Sequence, residues 1–388
     1  MSAGGVLEYA AAVRSRYERA SRAEKKRILD EFCETTGMHR KSAIRLLNRT
    51  ASPAPRRPGR PRRYGAEVAA ALVKVWEVGD RMCGKLLAAV MGQLVESLER
   101  HGELTLEPAV RSALLEISPA SIDRLLSRHR RRLGVQPRRS SPGSSGLKSE
   151  IPIRTWSEWK EPSPGSLQAD LVLHCGESTA GFYLATLCAI DVASGWTELQ
   201  PIWGLGKQRV GTAFHHVRQQ LPFPLRSLHT DNGGEFINHT LYNWCQQEKI
   251  AFTRGRSYRK NDQAYVEQRN WLTVRRQVGY DRFSSKEAYA LLEKLYPLLT
   301  LQLNLFRPIR KVVAKERVGS RVVKCFDKPR TACQRLLEGT ALNNIQRQGL
   351  QTRLEATNPA DLQRRIEKLL RELWRLAPKE ERMSEAVG

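Results

Sequence analysis

The chain is short of acid. Forty Asp and Glu stand against 65 Lys and Arg in 388 residues, leaving a formal charge of +25 and a pI near 10.2. Such an imbalance says nothing about fold, but it points to a polyanionic partner. Arg dominates the densest clusters, and its planar fork suits phosphate and guanine. Long hydrophobic runs are missing too. No uninterrupted stretch of ~18 apolar residues occurs, so no membrane span is expected. The first twenty residues, MSAGGVLEYAAAVRSRYERA, hold no apolar core of signal-peptide type. Paired cysteines are also lacking: Cys33, Cys83, Cys175, Cys188, Cys245, Cys325 and Cys333 are odd in number, scattered and never spaced C-x-x-C. This argues against a zinc finger and for a reducing, cytoplasmic setting, with most of these thiols acting as small core residues.

Two basic, proline- or serine-rich stretches divide what is there. Residues 1–52 read as a helix-turn-helix module: Ile28, Leu29 and Phe32 line one helix, Ala43, Ile44 and Leu47 the next, around Thr36-Gly37-Met38. Arg40, Lys41 and Arg45 lie on or near the second helix and are candidate DNA contacts. Residues 53–65 are too rich in Pro and Arg to pack a core, and form a basic linker with Arg57, Arg60, Arg62 and Arg63 as candidate contacts. Residues 66–137 carry apolar residues at three-to-four spacing and read as a second helical DNA-binding domain. Its last helix opens at Ser118-Pro119 and extends into an arm with Arg124, Arg128 and Arg131. Residues 138–150 form a second linker.

After residue 150 the periodicity turns mixed. LQADLVLHC, GFYLATLCAID, WTELQPIW, LRSLHTD and AFTRG read as five strands, with helices after the third, fourth and fifth. Three acids stand out. Asp170 lies within the first strand and Asp231 ends the fourth. Glu267 opens the last helix, on the stripe of Trp271, Val274 and Val278 that is expected to pack on the sheet. An acid at the mouth of a buried strand is costly as a bare charge. Hard oxygen ligands such as these bind Mg²⁺ or Mn²⁺. Asp191, before Ser194-Gly195, is read instead as a turn acid. Arg269 and Arg276, on another face of the last helix, and Arg259 and Lys260, in the loop before it, are candidate grips on DNA.

The motifs in this region resemble those of the Asp-Asp-Glu transposases of bacterial insertion sequences, with a retroviral-integrase-type core. The family's T/S-D-N-G-x-E-F is met by Thr230-Asp231-Asn232-Gly233-Gly234-Glu235-Phe236. Its K-N-D-x-x-x-V-E-x-x-N is met by Lys260-Asn261-Asp262, Val266-Glu267 and Asn270, and the 35 residues between Asp231 and Glu267 equal the family's spacing. Asp170 matches the first-strand acid. The resemblance covers roughly residues 150–310 and implies an RNase-H-like core over 151–306 with a five-stranded mixed sheet. It also implies Asp170, Asp231 and Glu267 as catalytic metal ligands for two Mg²⁺ ions, with Mn²⁺ a substitute, and action as a homo-oligomer on double-stranded transposon-end and target DNA. In such a bacterial protein a nucleoid-associated location is expected. The His/Cys zinc module of retroviral integrases is absent, so end-processing details of those enzymes do not carry over.

Residues 307–388 complete a multidomain chain: a basic hairpin around Gly319-Ser320, able to seed a small β-barrel, and an amphipathic helix over 359–376. The function expected is transposition by hydrolysis and strand transfer. A hydrolysis-only nuclease of the same fold and a non-catalytic end-binding repressor remain open at this point.

Overall fold

The computed structural model describes residues 1–48, 63–131, 163–255, 266, 269–318 and 321–377. Two compact units appear, Met1–Arg63 and Tyr64–Gly388. In the first, α1 (Ala3–Arg19), α2 (Arg22–Thr36) and α3 (Arg40–Leu47) surround Ala10, Tyr17, Ile28, Leu29, Phe32, Ala43 and Leu47. A reciprocal box opens α2, Ser21 accepting from the Glu24 amide while Glu24 accepts from that of Ser21. Gly37 closes α2 at φ +70°, a left-handed conformation that glycine adopts without strain. The expected helix pair is thus present, with α1 added to it, and Arg40, Lys41 and Arg45 lie exposed on α3.

The second unit is built on a five-stranded mixed sheet, ordered β3-β2-β1-β4-β5. Its strands are β1 (Ser166–His174), β2 (Leu184–Asp191), β3 (Thr197–Ile202), β4 (Ser227–Thr230) and β5 (Ala251–Arg254). β1 pairs antiparallel with β2 and parallel with β4. All eight residues of β2 are buried, as a strand covered on both faces must be. Helices α8 (Lys207–Gln220) and α9 (His239–Gln247) cover one face through Val210, Phe214, Val217, Leu241 and Trp244.

Helices α4 (Ala66–Val78), α5 (Gly84–Arg100), α6 (Pro108–Leu115) and α7 (Pro119–Arg131) were expected to form a domain of their own. Instead their apolar residues run into one hydrophobic cluster with Val172, Cys188, Leu199, Val274, Leu295 and Leu370. A helix pattern states that a face will be buried, not which surface buries it. Ser118 caps α7 as expected, its hydroxyl accepting from the Ser121 amide at 3.3 Å.

The last sheet-covering elements are α10 and α11. The described part of α10 runs over 269–278, with a π turn at Trp271–Arg275; α11 is Lys286–Leu301, and a second π turn follows at Gln302–Phe306. Beyond lie the hairpin β6 (Val312–Val318) and β7 (Arg321–Phe326), then α12 (Ala332–Glu338), α13 (Asn344–Ala356) and α14 (Pro359–Arg375). The hairpin stands as a two-stranded sheet; among the described residues no further strand makes it a barrel. The amphipathic helix α14 buries Leu362, Ile366, Leu370 and Leu373 against α11, α4 and α5 of its own chain, so its apolar face is already used.

Candidate active site

Register brings two of the three acids together. β1 and β4 pair Ser166 with Ser227, Leu167 with Leu228 and Gln168 with His229. Continued two residues further, the same register sets Asp170 opposite Asp231, on neighbouring parallel strands about 4.8 Å apart. Both side chains are half-buried.

Asp231 sits where β4 stops and the chain turns. Its Oδ1 accepts the Gly233 amide at 2.8 Å. Burial raises its carboxyl above the usual range, and the Gly233 amide only partly offsets this. The turn is held from β5: the Arg254 guanidinium donates to Asn232 Oδ1 at 2.9 Å, and Asn232 Nδ2 donates to the Gly255 carbonyl at 2.8 Å. Glu235 bends back over the same turn, and a Cβ on Gly233 would stand 2.8 Å from the Glu235 carboxyl carbon and 3.0 Å from Asp231 Oδ1. Burial, together with the charge of Asp231, raises the Glu235 carboxyl too.

The third motif reaches the first acid through Asn270, whose Nδ2 donates to Asp170 Oδ2 at 2.6 Å. Asn270 lies three residues beyond Glu267 in sequence. Glu267 itself, with Arg259 and Lys260, falls outside the described residues, as do the linker arginines Arg57, Arg60 and Arg62. Arg63 and Arg124 are exposed. Arg128 and Arg131 lie on α7.

Asp191 serves a different purpose. It is fully buried and accepts four hydrogen bonds, from the Gly165, Ser166 and Ser194 amides and the Ser194 hydroxyl, at 2.6–3.1 Å. These bonds fasten the β2–β3 turn to the start of β1. His174 is likewise a packing residue: buried, it contacts Thr186 Oγ1 at 2.7 Å, and burial pushes its pKa down to about 3.

The face assigned to α10 needs correcting. The stripe of Trp271, Val274 and Val278 was expected to be buried and that of Arg269 and Arg276 exposed. Val274 and Val278 are fully buried, but Trp271 is 42 % exposed and Arg269 only 3 %. Arg269 donates to the Gly195 carbonyl at 3.0 Å, and burial lowers its pKa to about 10. Arg276 is engaged by Asp80. The π turn Trp271–Arg275 accounts for this: its i→i+5 bonding takes an extra residue into one turn, so Arg269 and Trp271, before it and at its start, do not keep the 3.6-residue phase of Val274 and Val278. Nothing in the residue types announces such a turn. Asn232 and Asn270 belong to the motif spelling, but their residue types alone announce neither the bond to Arg254 nor the bond to Asp170.

The carboxylates suit a divalent cation. Burial raises the carboxyls of Asp231 and Glu235, the charge of Asp231 raises that of Glu235 further, and a hard cation would supply the missing counter-charge. Among the described residues no group of three His, Cys, Asp or Glu is placed to hold a metal; the third acid of the motif is not among them. No helix of the described residues is long and apolar enough to cross a membrane.

Among solved structures, the catalytic core domain of BIV integrase is similar to 37 % of this chain and 85 % of that one, at 21 % identity and a TM-score of 0.27. The HTLV-2 integrase catalytic core domain in complex with magnesium, in its dimeric form, is similar over 39 % of this chain and 93 % of that one, at 16 % identity and a TM-score of 0.29. Superpositions this slight transfer no property to the chain. No family model matches it. The uncharacterized protein y4rM of Sinorhizobium fredii (strain NBRC 101917 / NGR234) is 42 % identical over 322 residues, which span 83 % of this chain and 92 % of that protein, and this chain belongs to its family.

Proposed function

We propose that the protein is a Mg²⁺-dependent DNA transposase whose catalytic acids are Asp170, Asp231 and Glu267. What supports this reading is the arrangement of separate motifs: the β1–β4 register, extended two residues past its last pair Gln168–His229, runs to Asp170 and Asp231, and Asn270, three residues after Glu267, donates to Asp170. Two divalent cations held by these acids would supply an activated nucleophile and a stabilised leaving oxygen. The residues' part is to hold the scissile phosphodiester beside the middle of β1 and the end of β4. Hydrolysis there breaks the P–O3′ bond and frees a 3′-hydroxyl. In the second step that hydroxyl attacks a target phosphorus and loses its proton; one phosphodiester forms as another breaks, so no external energy source is needed.

Arg40, Lys41 and Arg45 on α3, the linker arginines, and Arg124, Arg128 and Arg131 are the proposed contacts to transposon-end DNA. Since a single acid site serves one reacting strand at a time, at least two subunits act in one DNA complex. The decisive experiment incubates labelled element ends with protein and Mg²⁺ and sizes the products. Nicked ends and strand-joined products are expected. Asp170→Asn, Asp231→Asn and Glu267→Gln each remove both, and leave end binding intact. Nicks without joined products would reduce the reading to a nuclease, and binding without any nick to an end-binding repressor.

A further inference from the structure

Asp80 occupies an unusual place. It sits in the turn between α4 and α5 at φ +54°, followed by Arg81 at φ +52°, and two successive non-glycine residues in the left-handed region are uncommon and strained. The turn is nevertheless fixed: the Asp80 amide donates to the Glu77 carbonyl at 3.1 Å, that of Arg81 to Trp76 at 2.9 Å, and Trp76 Nε1 to the Met82 carbonyl at 2.9 Å.

What the strain holds is a carboxylate between two arginines. Arg276 donates to Asp80 Oδ2 at 2.8 Å, to Oδ1 at 3.2 Å and to its carbonyl at 2.9 Å. Arg307 donates to Oδ2 as well. Only 13 % of the Asp80 side chain and 8 % of that of Arg307 remain exposed. Arg276 immediately follows the π turn Trp271–Arg275, and Arg307 immediately follows the π turn Gln302–Phe306. One acid from the helical region therefore grips the ends of both irregular turns. π turns gather at functional sites, where they aim side chains that a regular helix would misplace. A buried ion pair of this kind adds little net stability against apolar replacements, but it specifies geometry, and breaking it leaves an uncompensated charge.

We infer that Asp80 is a positioning residue for the acid site: by clamping Arg276 and Arg307 it fixes the phase of α10, and thereby the reach of Asn270 to Asp170. This rests on the reading of Asp170 and Asp231 as metal-binding acids. It gives the helices 66–131 a task at the site besides any contact with DNA.

The test uses the full chain and three readouts: Mn²⁺ affinity by isothermal titration, Mg²⁺-dependent nicking, and hydrogen exchange of the 271–278 amides. Asp80→Asn should weaken Mn²⁺ binding and slow nicking by about 10–100-fold, the range seen when groups supporting metal ligands are removed. Exchange at 271–278 should rise, while end-DNA affinity stays within about two-fold. If Asp80→Asn does not fold, Arg276→Gln, which keeps the Asp80–Arg307 pair, should give the same pattern. A folded variant with wild-type Mn²⁺ affinity, nicking and exchange overturns the inference, and so does one that loses only DNA affinity. A wild-type chain that neither binds Mn²⁺ nor nicks DNA counts against the transposase reading instead; faster exchange in the variants would then still support the clamp, and unchanged exchange would refute it.

Discussion

Asp191 ends β2 and Asp231 follows β4, the two strands that flank β1 in one sheet, and burial raises both carboxyls. Their partners differ. Asp191 receives four hydrogen bonds, two from Ser194 in its own turn and two from the Gly165 and Ser166 amides at the start of β1, whereas Asp231 receives one from the Gly233 amide and is faced by the like charge of Glu235. A buried acid whose lone pairs are all used is finished chemically, and its work is to close a turn. One that is buried, under-bonded and set beside other acids is poised for a cation. Hydrogen-bond saturation, more than depth, separates the structural acid from the proposed catalytic one.

The widest gap between the two should appear in chemistry. Asp231→Asn should lower nicking by about 10²–10³-fold, the order lost when a group that stabilises a charged transition state is removed. Asp191→Asn should keep most of its activity per folded molecule. Rates normalised to folded protein decide the matter: an inactive but folded Asp191→Asn beside an active Asp231→Asn would invert the assignment.

Stability should rank the pair the other way. Asp191→Ala strands four donors at a buried turn and should cost about 3 kcal/mol, since bonds to charged groups carry ~1.5–3 kcal/mol and orphaned donors add to the loss. Asp231→Ala should cost under about 1 kcal/mol, as it removes a charge that burial disfavours. Urea unfolding of both, without divalent cations, measures the contrast, and equal losses would remove it.

Much of this site was legible in the residues, because strands and turns are written locally. The five strands follow apolar runs; Asp191 and Asp231 sit where two of those runs end, and Asp170 interrupts a third. The Asp191 turn was legible from Ser194-Gly195, which supply a short hydroxyl cap and a glycine at φ +78°. The two π turns were not, because a π turn depends on packing on both sides of the helix. Without them the phase of Arg269 and Trp271 came out reversed. The docking of α14 and the merging of helices 66–131 with the sheet escaped for a related reason: an amphipathic stripe carries no address. Truncation after Arg310, which a free α14 would tolerate, is therefore expected to expose Leu292, Leu295 and Leu299 and to unfold the unit.

A third acid sharpens the comparison. Glu198 on β3 is buried, takes one bond from Trp196 Nε1 at 2.7 Å, and has its pKa raised to about 8 by burial. It lacks the bonds of Asp191 and the acidic company of Asp231. In the folded chain it keeps a proton that the unfolded chain releases from about pH 4.5 upward. Its contribution to stability is thus full below that pH and falls as pH rises to about 8, by up to ~1.4 kcal/mol per unit. Glu198→Gln, which still accepts from Trp196, should flatten the loss between pH 5 and pH 8 in urea titrations. An unchanged slope would mean that Glu198 is ionised in the fold and that its single bond suffices.

The smallest expected effect tests how finely the Asp231 turn is set. A methyl on Gly233 would meet the Glu235 carboxyl at 2.8 Å and Asp231 Oδ1 at 3.0 Å. Glu235 is a long side chain and can swing away at little cost. Asp231 cannot, because its Oδ1 is bonded to the amide of the same residue 233. Relief of the clash must lengthen that bond or turn the carboxylate away from the level of Asp170. Gly233→Ala should therefore leave unfolding within about 1 kcal/mol of wild type, because the nearest obstacle is the movable end of the Glu235 side chain. Nicking should fall by about 10-fold, the scale of a lost supporting contact at a metal site. Glu235→Ala in the same chain should return part of that loss, since it removes the nearer of the two obstacles. Activity that stays low in the double variant would place the fault in the backbone of the turn, and full activity in Gly233→Ala alone would mean that the Asp231 carboxylate is free to find its position without the turn.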